Sequence, residues 1–119
     1  MAYILVLDDV EDAGLLIKRI LERAGHEVAA FTEEEDAITH AELNMVDLAI
    51  LDINLKKMTG VEVLEQLKKH SPKMKAIMLT GYPTMETAKD ALHLGASDYC
   101  VKPIDKEELE EKVEEVLDM

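Results

Sequence analysis

The six residues "DLAILD", Asp47 to Asp52, decide the fold. Leu48, Ala49, Ile50 and Leu51 follow one another with no polar break. A strand with one wet face alternates apolar and polar residues. A strand covered on both faces does not, and such strands sit at the centre of parallel sheets. Asp47–Leu51 is therefore read as a central strand, and Asp52 stands at its carboxyl end.

Outward from that strand the pattern alternates. Toward the N-terminus, Tyr3–Leu7 is a short apolar run, read as the first strand. Ala13, Leu16, Ile17, Ile20, Leu21 and Ala24 then recur at helical spacing, with Gly25 as the stop. Glu27–Phe31 is a second, weaker strand. Thr32 and Glu35 have the spacing of a capping box, so the acidic run Glu33–Asp36 reads as a helix N-terminus favoured by the helix dipole. Ala37, Ile38 and Ala41 form the inner face of that helix.

Toward the C-terminus, Val61, Leu64 and Leu67 give a third helix after Gly60, and Ala76–Leu79 a fourth strand. Met85, Ala88, Ala91 and Leu92 give a fourth helix closed by Gly95. Ser97–Val101 is the fifth strand. Asp105 and Glu108 repeat the capping-box spacing before a last helix carried by Leu109, Val113, Val116 and Leu117. From Asp105 onward there are eight acidic and two basic residues, which reads as a solvated outer face.

Five short strands alternating with five helices specify an α/β fold, with a parallel sheet covered on both sides. Right-handed crossovers then divide the helices between the two faces. The expected architecture is a doubly wound five-stranded parallel sheet in the order 2-1-3-4-5, flavodoxin-like, with residues 1–119 forming a single domain.

Composition narrows the function. The 119 residues are 48% hydrophobic, enough for a core, and carry a formal charge of −13. Phosphate backbones demand a basic face, so the charge disfavours direct nucleic-acid binding and favours a protein partner or a cation. Cys100 is the single cysteine and reads as a small strand-filling residue. His26, His40, His70 and His93 show no zinc-ligand spacing. The first apolar run has no basic flank and is too short for a signal peptide or a membrane span, so the expected location is cytoplasmic.

In a doubly wound sheet, sites form outside the carboxyl ends of the strands. The residues there are Asp8 and Asp9 after strand one, Asp52 after strand three, Thr80 and Gly81 after strand four, and Lys102 and Pro103 after strand five. Each alone is an ordinary turn, cap or surface residue. Together they place three carboxylates, a hydroxyl and an ammonium on one edge. Three carboxylates suit a hard cation such as Mg2+. A carboxylate is also a nucleophile that forms an aspartyl phosphate, and phosphoryl transfer needs positive charge on the transferring oxygens. Asp52 is the candidate nucleophile, since it stands alone at the end of the central strand. Gly81 leaves room for a donor.

With "LDD" at Leu7–Asp9, "LDI" at Leu51–Ile53, "LTG" at Leu79–Gly81 and "DYCVKPID" at Asp98–Asp105, the chain resembles the receiver domain of two-component response regulators, the CheY-like superfamily. The resemblance covers Tyr3 to about Leu117. It implies that Asp52 accepts a phosphoryl group from the phosphohistidine of a sensor histidine kinase or a phosphotransfer protein. It implies that Asp9 binds Mg2+ directly, that Asp8 helps through water, and that the Asn54 main-chain carbonyl completes the metal site with Asp52. Thr80 and Lys102 would grip the phosphoryl oxygens. Tyr99 would rotate inward as Thr80 moves, changing the surface of helix four, strand five and helix five. The Lys102–Pro103 peptide would be cis. The partners implied are the kinase, a downstream effector domain or protein, and a homodimer formed on phosphorylation.

Lys56 stands where the family often has Pro, Val10 where a third acidic residue is frequent, and Ile104 where Phe is common. None removes a group that the chemistry needs. Three other functions fit these residues less well. A Mg2+-dependent phosphohydrolase commonly needs an acid two residues after its nucleophile, and Asn54 is there instead. A receiver-like binding module that is never phosphorylated has no need of the five key residues. A flavodoxin-type cofactor carrier needs a glycine-rich phosphate loop, which is not seen. The expectation is a signalling switch and not a turnover enzyme.

Overall fold

The computed structural model describes all 119 residues. Its elements are β1 (Tyr3–Leu7), α1 (Glu11–Arg23), β2 (Glu27–Phe31), α2 (Glu34–Leu43), β3 (Leu48–Asp52), α3 (Gly60–His70), β4 (Lys75–Thr80), α4 (Met85–His93), β5 (Asp98–Val101) and α5 (Lys106–Leu117). All pairings are parallel and the strand order is β2-β1-β3-β4-β5, as the sequence reading expected. Asp52 belongs to β3 as its last residue, one position later than the expected end.

The unbroken apolar run of β3 is explained by its two faces. Ala49 and Leu51 point into the layer under α2, α3 and α4, with Ala37, Val63, Leu64 and Ala91. Leu48 and Ile50 point into the layer under α1 and α5, with Ile17, Leu21, Leu109 and Val113. β1 divides in the same way, with Leu5 and Leu7 on one side and Ile4 and Val6 on the other.

Two helix faces differ from expectation. Leu16 lies on the outside of α1, because Gly14, Ile17 and Leu21 form its buried line. In α4, Met85 and Leu92 face solvent and only Ala91 is buried. This nine-residue helix therefore rests on the sheet through a small contact.

The helix starts also differ. Thr32 does not cap α2. Glu33 is its N-cap residue, without a side-chain cap bond, and the next side chain, Glu34, turns into the protein. The complete capping box is at Thr59 and Glu62, where each side chain bonds the other's backbone N–H at 3.1 Å. At α5, Asp105 accepts the Glu108 N–H at 2.8 Å. Gly25 and Gly95 close α1 and α4 with φ of +97° and +89°, as stops that a side chain would strain.

Candidate functional site

Strand register sets the site. Leu7 pairs with Leu51, so the next residues, Asp8 and Asp52, emerge level from adjacent strands. Thr80 pairs with Val101, and the Lys102 N–H continues the ladder to the Thr80 carbonyl at 2.8 Å. The carboxylates of Asp8, Asp9 and Asp52 each offer an oxygen within 4.8 Å of the others. Asp8 and Asp52 are buried, and Asp9 is half-buried.

Lys102 reaches into this group. Its Nζ lies 2.6 Å from Asp8 Oδ2 and 3.3 Å from Asp52 Oδ2. Asp8 Oδ1 accepts the Val10 N–H at 2.9 Å, and Asp52 Oδ1 the Asn54 N–H at 3.1 Å. Asp9 takes no donor from the protein. Burial pushes the Asp52 carboxyl above its ordinary value, and Asp8 adds to this; the Asn54 N–H and the Lys102 charge pull the other way without prevailing. Burial pulls Lys102 down, but its bond to Asp8 and the charges of Asp8 and Asp52 prevail and raise it. The ammonium is therefore firmly charged, and burial works against the ionisation of Asp52.

Three carboxylates against one ammonium leave two negative charges in excess. The donors are all hard oxygens, and the carbonyl of Asn54, whose N–H bonds Asp52, accepts no backbone N–H. This set fits a small divalent cation with oxygen ligands.

Around the cluster, the buried Thr80 hydroxyl donates to Asn54 Oδ1 at 3.0 Å and accepts the Tyr82 N–H at 3.0 Å. The Tyr99 hydroxyl lies 2.8 Å from Thr87 Oγ1, tying β5 to α4. The Lys102–Pro103 peptide is cis. Gly60, the first residue of α3, lies so close behind β3 that a Cβ there would fall 2.3 Å from the Asp52 carbonyl oxygen. Neither spacing nor periodicity in the sequence marks Thr87, the Asn54 side chain or Glu34 for these contacts. A shallow depression of about 1000 Å³, among Met1, His26, Asp47 and Glu114, lies at the opposite end of the sheet from the carboxylates.

The response regulator receiver domain model matches residues 4–114. The crystal structure of a response regulator receiver domain protein (CheY-like) from Methanospirillum hungatei JF-1 superposes with a TM-score of 0.96 at 37% identity, covering 99% of this chain and 94% of that one. The alkaline phosphatase synthesis transcriptional regulatory protein PhoP of Bacillus subtilis is 36% identical over 114 residues, 96% of this chain and 48% of that protein. A response regulator from Burkholderia pseudomallei, solved with a phosphorylated aspartic acid, calcium ion and citrate, matches with a TM-score of 0.85 at 28% identity, covering 99% of this chain and 75% of that one. The chain spans between about a quarter and a half of the length of the curated relatives it matches.

Proposed function

The chain belongs to the response regulator receiver domain family, and from that premise we propose that residues 1–119 form one receiver unit whose phosphoacceptor is Asp52. Receiver domains are phosphorylation-dependent signalling switches. The observation that carries the assignment is the Lys102 ammonium held between Asp8 and Asp52 at the carboxyl ends of adjacent strands.

An Asp52 carboxylate oxygen attacks the phosphorus of a kinase phosphohistidine. A P–O bond forms as the P–N bond breaks, and the electron pair stays on the imidazole nitrogen. Lys102 neutralises charge on the transferring oxygens. Asp9, Asp52 and the Asn54 main-chain carbonyl would hold Mg2+, with Asp8 helping, and the bound ion would supply further positive charge at those oxygens. Thr80 turns its hydroxyl from Asn54 to the new phosphoryl group. That turn releases the Tyr82 N–H, and Tyr99 shifts against α4. Because α4 buries only Ala91, it moves at low cost. The face of α4, β5 and α5 is the output, read by an effector domain, a partner protein or a second copy. The working compartment is the cytoplasm, and no helix is long and apolar enough to cross a membrane.

The test is direct. With Mg2+ and a small phosphodonor, the intact protein gains the mass of one phosphoryl group, and chelation of the metal prevents the gain. No gain, or an equal gain under chelation, overturns the proposal.

Asp8 and Asp9 divide the metal work. Asp8 is already committed to Lys102 and the Val10 N–H, whereas Asp9 has an open carboxylate. In calorimetric titration, Asp8→Asn weakens Mg2+ binding by about tenfold, as loss of a group supporting the ligands does. Asp9→Asn weakens it further still. Equal losses would contradict the division.

A further inference from the structure

Glu34 is almost fully buried, at 1% exposure, although it is a carboxylate in the first turn of α2 and far from Asp52 in sequence. Its Oε2 accepts two backbone N–H groups from the loop between β3 and α3, Lys57 at 2.7 Å and Met58 at 2.9 Å. Neither N–H has a backbone acceptor, so Glu34 is their partner. Burial pushes the Glu34 carboxyl up, but the N–H donors and the Lys57 charge prevail and hold it below its ordinary value. It is therefore an ionised anchor within the protein.

The anchored loop begins at Asp52. It carries Asn54, whose N–H orients Asp52 and whose side chain holds Thr80, and it ends at Gly60, packed against the Asp52 carbonyl. One end of the loop is thus fixed by β3 and the other by α3. Glu34 ties its middle to a different helix.

We infer that Glu34 is a positioning residue for the phosphorylation site, holding the loop at the height that places the Asn54 carbonyl and the Asp52 carboxylate for metal and phosphoryl group. It rests on the function proposed above, but it acts through the loop and touches neither reacting group. Small displacements of positioned groups cost large factors in rate, and loss of a group supporting metal ligands typically costs about 10–100-fold in affinity.

The experiment compares wild type, Glu34→Ala, Glu34→Gln and Val113→Ala. Val113 is buried on the opposite face of the sheet, so its truncation destabilises the protein without touching the loop. Mg2+ affinity is read by calorimetry, and phosphoryl uptake at saturating Mg2+ by intact mass. Glu34→Ala raises the Mg2+ Kd by about tenfold or more and slows uptake. Glu34→Gln keeps one acceptor oxygen and falls between. Val113→Ala keeps the wild-type Kd. Amide exchange of Lys57 and Met58 quickens in Glu34→Gln, which keeps the test open if the alanine variant does not fold. A wild-type Kd in both Glu34 variants overturns the inference, as does an equal loss in Val113→Ala. Failure of the functional reading would appear separately, as absent phosphoryl uptake by wild type whatever the Glu34 variants do to Mg2+ binding.

Discussion

Asp52→Asn takes up no phosphoryl group, and in metal-free buffer it unfolds at a higher temperature than wild type. Both results follow from the same carboxylate. Asp52 lies within 4.8 Å of two other carboxylates. At an effective dielectric of about 20, the attraction to Lys102 at 3.3 Å is roughly 5 kcal/mol, which does not offset burial and repulsion together. Burial is the largest cost of the Asp52 charge and repulsion by Asp8 adds to it, and together they outweigh the Lys102 charge and the Asn54 N–H. Neutralising Asp52 removes this conflict, while Lys102 keeps its shorter bond to Asp8. The expected gain is roughly 6 °C in Tm.

The pH dependence has a definite sign. The Asp52 carboxyl is raised above its ordinary value of 3.8 in the folded protein. Folded wild type therefore binds more protons than the unfolded chain between that value and the folded pKa. Wild type loses stability relative to the variant as pH rises through this window. Below it the two proteins are equally stable, and above it the gap is constant. Mg2+ narrows or reverses the gap, since a cation at 100 times its Kd stabilises the protein that binds it by about 2.7 kcal/mol. Thermal melts across pH, with and without Mg2+, check all three statements.

Lys102→Ala has the opposite effect on the metal-free protein. Its ammonium is the cation bonded to two of the three carboxylates, Asp8 and Asp52, and Asp8 is buried. Removing one member of a buried ion pair costs about 3–5 kcal/mol. Lys102 is partly exposed, so the lower figure applies, a fall of roughly 10 °C in Tm at neutral pH. Acidification recovers part of the loss by protonating the carboxylates, and Mg2+ recovers more by replacing the missing charge. Phosphoryl uptake falls by about 100-fold, the usual result of removing one group that stabilises transition-state charge. Lys102→Arg separates the two roles. The guanidinium keeps the charge and restores stability, but its planar fork does not reproduce the ammonium's position, so uptake stays slow. An unchanged melting temperature in Lys102→Ala would contradict the electrostatic description of the site.

The sheet was legible because its signal is local. Leu48–Leu51 and Ile4–Leu7 are apolar on both faces, as a parallel strand covered on both sides is. The carboxylate cluster was legible because parallel strands deliver their carboxyl ends to one edge, so Asp8, Asp52, Thr80 and Lys102 needed only the strand order to be brought together. Glu34 was not legible. Thr32, Glu33, Glu34 and Glu35 have the form of a capping box, and the true partners of Glu34 are the Lys57 and Met58 N–H groups in the loop between β3 and α3. A buried acid looks like a surface acid until the donors around it are known. Thr59 and Glu62 carried the same box spacing in plain view, and there the local pattern holds. The outward side chains of α4 failed for the same reason as Glu34. Periodicity marks Met85 and Leu92 as inner residues, but this short helix buries Ala91 alone and leaves both exposed. The Tyr99–Thr87 and Thr80–Asn54 bonds depend on side-chain directions across loops, which spacing does not encode.

The central claim is that the phosphoryl group sits on Asp52 and on no other carboxylate of the cluster. Borohydride reduces an acyl phosphate to an alcohol, converting a phosphorylated aspartate into homoserine. Wild type phosphorylated in the presence of Mg2+, reduced, digested and sequenced by mass spectrometry should carry homoserine at position 52, with Asp8 and Asp9 intact. Homoserine at Asp8 or Asp9, or at none of the three in protein that has gained phosphoryl mass, would contradict the account.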